Sequence, residues 1–68
     1  MRSQTANAVE AVLFVAEKPV SRGELAKVVG ATPKQVEAAL SELGVSYTGS
    51  GLRLAHDGDA WQLVTALE

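Results

Sequence analysis

His56 is the only imidazole in the chain, with Asp57 beside it and Asp59 two positions further on. A histidine next to an aspartate is the beginning of a proton relay, and a second carboxylate would be the beginning of a metal site. Both chemistries need partners from elsewhere. There is no cysteine, so no thiolate nucleophile, thiolate metal site or disulfide staple exists. The hydroxyls of Ser21 and Thr32 stand at helix starts, where they are needed as caps. Gly49-Ser50-Gly51 has neither the following lysine nor the following helix of a phosphate loop. His56 therefore reads as a solvated side chain. No catalytic residue, metal ligand or cofactor site is expected, and the chain is not read as an enzyme.

Nucleic-acid binding is the other chemistry that simple residue types could carry. The formal net charge is −2, and its distribution matters more than the total. Around the second helix, Arg22 and Lys27 outweigh Glu24. Around the third, Glu37 and Glu42 outweigh Lys34, and from residue 45 onward Asp57, Asp59 and Glu68 outweigh Arg53. Affinity for DNA comes largely from neutralised phosphates and usually shows as a basic stripe. No such stripe is visible, so little or no direct nucleic-acid binding is expected.

The elements that hold these residues are written as start and stop signals. Ser21-Arg22-Gly23-Glu24 opens a short apolar run closed by Gly30, and Thr32-Pro33-Lys34-Gln35 opens a second closed by Gly44. Each opening is a capping-box pattern, with Glu24 or Gln35 placed to reach back to the cap amide. Pro33 supplies a preset φ at a first helical position. Gly30 and Gly44 are read as left-handed caps. The spacing predicts helices over about 5–17, 22–29 and 33–43, the first ending before Pro19. The second should bury Leu25, Val28 and Val29, and the third Val36, Ala39, Leu40 and Leu43.

From Val45 onward the apolar period changes to two. Asp57-Gly58 is a hairpin-turn signal, predicting strands over about 52–56 and 60–65. Pairing about that turn sets Leu54 opposite Trp61, Leu52 opposite Leu63 and Arg53 opposite Gln62. Trp61 is expected to close the core. The fold class is small α+β: a winged helix-turn-helix of three helices plus a C-terminal β-hairpin wing, forming one domain over 1–68. A core this small without staples is often helped by a partner.

The first helix carries an anomaly. At about 100° per residue, Asn7, Glu10 and Glu17 form a polar stripe opposite Ala8, Val9, Val12, Val15 and Ala16. Phe14 falls inside the polar stripe, and Leu13 flanks it. Either Phe14 packs under a neighbouring loop of its own domain, or Phe14 and Leu13 form an exposed patch for a partner. The apolar run from Ala8 to Ala16 is interrupted by Glu10 and is far too short to span a bilayer. It also lacks a basic approach and a cleavage site, so a soluble, cytoplasmic protein without a membrane role is expected.

The stretch Val9-Glu10-Ala11-Val12-Leu13-Phe14-Val15-Ala16-Glu17-Lys18-Pro19-Val20-Ser21 resembles the opening of the bacterial segregation and condensation protein B family. The likeness continues through Glu24-Leu25-Ala26, Val36-Glu37-Ala38-Ala39-Leu40, Gly51-Leu52-Arg53-Leu54, and Gly58 with Trp61-Gln62-Leu63 and Thr65. It implies an accessory subunit of the bacterial condensin, associated with the nucleoid and acting in chromosome condensation and segregation. It further implies a homodimer that clasps the kleisin subunit, segregation and condensation protein A, and through it the structural-maintenance ATPase. Interface candidates on this reading are Glu10, Leu13 and Phe14 on the first helix and Ala38 and Ser41 on the third.

The family carries two winged helices in tandem and only the first is seen, which reads as an excised domain or a shortened member. The final Leu67-Glu68 reads as native sequence or as an expression scar. The alternative function is a DNA-binding winged-helix transcriptional regulator.

Overall fold

A hydroxyl-bearing residue opens each helix. Ser3 Oγ accepts from the Ala6 N–H at 3.1 Å, Ser21 Oγ from the Glu24 N–H at 3.1 Å, and Thr32 Oγ1 from the Gln35 N–H at 3.1 Å. The computed structural model describes residues 2–66; Leu67 and Glu68 lie outside the described residues. The order is α1 (Gln4–Val15), β1 (Val20–Ser21), α2 (Arg22–Val29), α3 (Pro33–Ser46), β2 (Leu52–Asp57) and β3 (Ala60–Thr65). The strands form one antiparallel sheet in the order β1-β3-β2. Three helices with a hairpin at the C-terminal side make this a winged helix.

The reciprocal capping box forms only at α3, where the Gln35 side chain accepts from the Thr32 N–H at 2.9 Å. At α2 the hydroxyl half alone forms, and the cap residue Ser21 doubles as a strand residue opposite Ala60. Gly30 closes α2 in the left-handed region at φ 72°. Gly44 does not close α3. The helix runs through it to Ser46 and ends on Tyr47, which stays at negative φ. One turn beyond Leu43, Tyr47 lands on the buried face, so its burial favours continuing the helix past a glycine. The reversal falls at Gly49 instead, with φ 80°. At the other end, α1 stops two residues sooner than the spacing suggests, because Ala16 is already extended and leads towards β1.

The core is built from Ala6, Val9 and Leu13 of α1, Leu25 and Ala26 of α2, and Val36, Ala39, Leu40, Leu43 and Tyr47 of the third helix and its end. Three expectations are corrected. Leu13 is buried, Val15 is exposed, and Val28 is exposed while Ala26 takes its place inside. The buried face of α1 is rotated by roughly a quarter turn from the one its sequence suggested. The cause is Glu10. It does not mark the solvent pole; it sits on the flank of the core, where its carboxylate accepts from the Tyr47 hydroxyl at 2.5 Å and the Arg2 guanidinium at 2.9 Å.

The wing register is also corrected. Leu54 faces Leu63, His56 faces Trp61, Ala55 faces Gln62 and Leu52 faces Thr65. Asp57 pairs with Ala60, so the two-residue turn is Gly58-Asp59, with Gly58 at φ 63°. The slip relative to the expected pairing is an even one, and a shift of two preserves the faces. Leu54, Trp61 and Leu63 therefore still pack on the helices, while Leu52 lies at the open rim.

Candidate functional site

The two carboxylates that outweigh Lys34 on α3, Glu37 and Glu42, are both bonded to other elements of the fold. Glu37 Oε2 accepts from Arg22 Nη1 at 2.6 Å, and Arg22 Nε lies 3.5 Å from Asp59 Oδ1. The Arg22 backbone N–H also donates to the Asp59 carbonyl at 3.1 Å. One guanidinium thus ties the start of α2 to α3 and to the wing turn. Glu42 reaches the other way, accepting from the Ser3 N–H and hydroxyl at 3.0 and 2.9 Å. A carboxylate at a helix N-terminus complements the positive end of its dipole. Arg22 is spent on these contacts.

His56 stacks on Trp61, its direct cross-strand neighbour, with ring centroids 4.5 Å apart and planes tilted by 30°. The described residues hold no group of three His, Cys, Asp or Glu side chains able to share a metal ion. The imidazole is a packing element of the wing.

The interface candidates separate into three environments. Leu13 is 3% exposed and belongs to the core, reaching the surface only as the floor of a groove. Glu10 is partly buried, and the Arg2 and Tyr47 donors hold its carboxyl below the usual carboxylate range. Burial, then the hydrogen bond to Glu10, pushes the Tyr47 hydroxyl up to about 12, and the Arg2 guanidinium sits 6.0 Å over the Tyr47 ring. Phe14 is 76% exposed and Val15 beside it 74%. Phe14 is therefore not packed under a loop of its own domain, but Leu13, read with it as one exposed patch, is in the core.

Phe14 stands as a ridge between two shallow grooves on the seam of α1 and the wing. Leu13, Leu52, Leu63 and Val64 line one side, and Ala11, Val15, Leu52 and Leu63 the other, with Asn7 and Glu10 at the rim. This is an apolar surface with a polar border, the composition of a protein contact. Ala38 and Ser41 lie elsewhere. They form the outer ridge of α3 with Lys34, at i, i+4 and i+7, and line neither groove beside Phe14. Sequence reasoning missed Val45, 74% exposed, which extends that ridge by another turn. The signal was present in the 34, 38, 41, 45 spacing, and was hidden by reading Gly44 as a helix stop.

The family model described as "Segregation and condensation complex subunit ScpB" matches residues 7–68. The chain belongs to the ScpB family. Among curated proteins it is similar to segregation and condensation protein B of Desulforamulus reducens, at 36% identity over 69 residues, covering 98% of this chain and 38% of that one. Among solved structures it is similar to ScpB from Mycobacterium tuberculosis, with a TM-score of 0.82 and 30% identity over 91% of this chain and 40% of that one. A conserved hypothetical protein from Chlorobium tepidum gives a TM-score of 0.77 and 27% identity over 91% and 41%. The chain therefore spans about two fifths of the length of the ScpB relatives it matches.

Proposed function

We propose that this ScpB-family domain is a non-catalytic assembly module of a bacterial segregation and condensation complex, working in the cytoplasm at the nucleoid. It pairs with a second copy and contributes to holding the kleisin subunit, and so serves the structural-maintenance ATPase without touching DNA itself. The observation that carries this reading is the exposed Phe14–Val15–Leu52 face. A core of ten buried residues cannot spare its single phenylalanine to solvent without a return, and an apolar patch bordered by polar residues is stabilised by a protein partner. Ala38, Ser41 and Val45 offer a second smooth surface on α3, where small side chains let another backbone approach.

The test is sedimentation equilibrium over a range of concentrations, with and without a kleisin segment, for the parent and for Phe14→Asp. The parent is expected to associate. Phe14→Asp is expected to stay folded, since its side chain is in solvent, and to lose association. A strict monomer at millimolar concentration that also ignores the kleisin segment overturns the proposal. Titration with random duplex DNA at low salt should give binding no tighter than about 10⁻⁴ M; submicromolar binding that falls steeply with salt would establish the regulator reading instead.

A further inference from the structure

The outer edge of the wing is unusually specific about what could pair with it. β2 lies at one side of the sheet, with β3 on its inner side only. In an antiparallel ladder, alternate residues turn their backbone groups to opposite neighbours. Asp57 and Ala60 flank the turn, and the Ala66 N–H donates to the Gly51 carbonyl at 2.9 Å. Gly51, Arg53, Ala55 and Asp57 therefore face β3, while Leu52, Leu54 and His56 turn their N–H and C=O groups outward. Leu52 is already served, because the Ser50 hydroxyl accepts from its N–H and donates to its carbonyl, both at 3.1 Å. Leu54 and His56 keep open backbone groups among the described residues.

The side chains of this strand carry a matching asymmetry. Leu54 packs towards the helices, so Arg53, Ala55 and Asp57 project from the opposite, helix-free face of the sheet. Arg53 faces Val64 and Asp57 faces Ala60 across the ladder, and neither enters an ion pair among the described residues. An exposed edge strand is normally protected against pairing by its charges. Here the charges are self-complementary about Ala55.

We propose that β2 is the strand through which two copies of this chain pair, antiparallel, with the two-fold axis at Ala55. The proposal rests on the homodimer reading above and adds an edge contact to the Phe14 face that reading uses. In that register Leu54 lies opposite His56 of the second copy and exchanges N–H···O=C bonds in both directions, twice over by symmetry. Arg53 lies opposite Asp57 of the second copy, also twice, on one face of a continuous six-stranded sheet. Only the axis at Ala55 sets Arg53 opposite Asp57. Moving the axis to Arg53 or to Asp57 sets like charges directly opposite, which is destabilising.

Sedimentation equilibrium on the whole chain, for the parent, Arg53→Asp, Asp57→Arg and the double exchange, tests this. Each single exchange should weaken association about tenfold or more, and the double exchange should recover it to within about threefold, since opposite charges again face each other. In parallel, exchange of the Leu54 and His56 amides should slow as chain concentration rises. A parent dimer insensitive to Arg53→Asp but lost on Phe14→Asp overturns the edge contact and leaves the homodimer reading standing. A double exchange that fails to recover while its spectrum stays native, or amide exchange independent of concentration in a sample shown to be dimeric, also overturns it. A parent that never associates sinks both.

Discussion

Glu10 and Tyr47 form a pair whose two ends respond to opposite limits of pH. The Glu10 carboxyl titrates below its unfolded value near 4.3, so its contribution to stability is present above that pH and is lost as pH falls through the folded value. The Tyr47 hydroxyl titrates near 12 against about 10 unfolded, so its contribution is complete below pH 10 and disappears between pH 10 and 12. At neutral pH both are present. Tyr47→Phe removes the donor to a charged acceptor and is expected to cost about 1.5 kcal/mol at pH 7. Denaturant unfolding at several pH values checks this: the gap between parent and variant should narrow at pH 3 and again above pH 11. A gap that is constant with pH would mean that the hydroxyl contributes only through packing.

At the scale of elements, the glycines separate caps from interior positions. Gly44 lies within α3 at negative φ, and a Cβ built there meets nothing within 4 Å. Gly44→Ala should therefore stabilise the domain by about 0.5–1 kcal/mol through helix propensity alone. Gly30 is equally open in space but holds φ at 72°, so Gly30→Ala should destabilise by about 1 kcal/mol. Thermal melts of the two variants should move in opposite directions from the parent. Two lowered midpoints would mean that α3 ends at Gly44 in solution. The same geometry explains how far this part was legible. The Ser21 and Thr32 caps and the Pro33 start stood out in the sequence, because their signals are local. The end of α3 did not, because Tyr47 reaches its buried site only once α1 has brought Glu10 alongside.

For the molecule as a whole, the wing closes one end of the helical core through Trp61, which is half-buried, stacks on His56 and pairs with Val20 of β1. A fully buried tryptophan would cost about 3–5 kcal/mol on truncation to alanine. With that side chain only partly buried, Trp61→Ala should cost about 2 kcal/mol. A domain of this size has only a few kcal/mol in total, so the melting midpoint should fall by roughly 8–16 °C while a cooperative transition survives. Differential scanning calorimetry measures this. A variant that melts like the parent would mean that the wing docks without Trp61.

The amino-acid sequence by itself determined where α2, α3 and the two hairpin strands start, and which faces of the hairpin are apolar. Each of these follows from residues within a few positions of one another. Tertiary structure decided what depends on a distant partner. Leu13 is inside and Phe14 outside because the Tyr47 hydroxyl anchors Glu10 beside the core, 37 positions away in the chain. The acidic residues of α3 are engaged within the fold because Arg22 and Ser3 arrive from other elements. The hairpin turned one residue later than its Asp57-Gly58 signal, because Asp59 had to meet Arg22 while Trp61 met Val20. Local chemistry specifies the elements. Contacts between elements choose which of their residues are left for a partner.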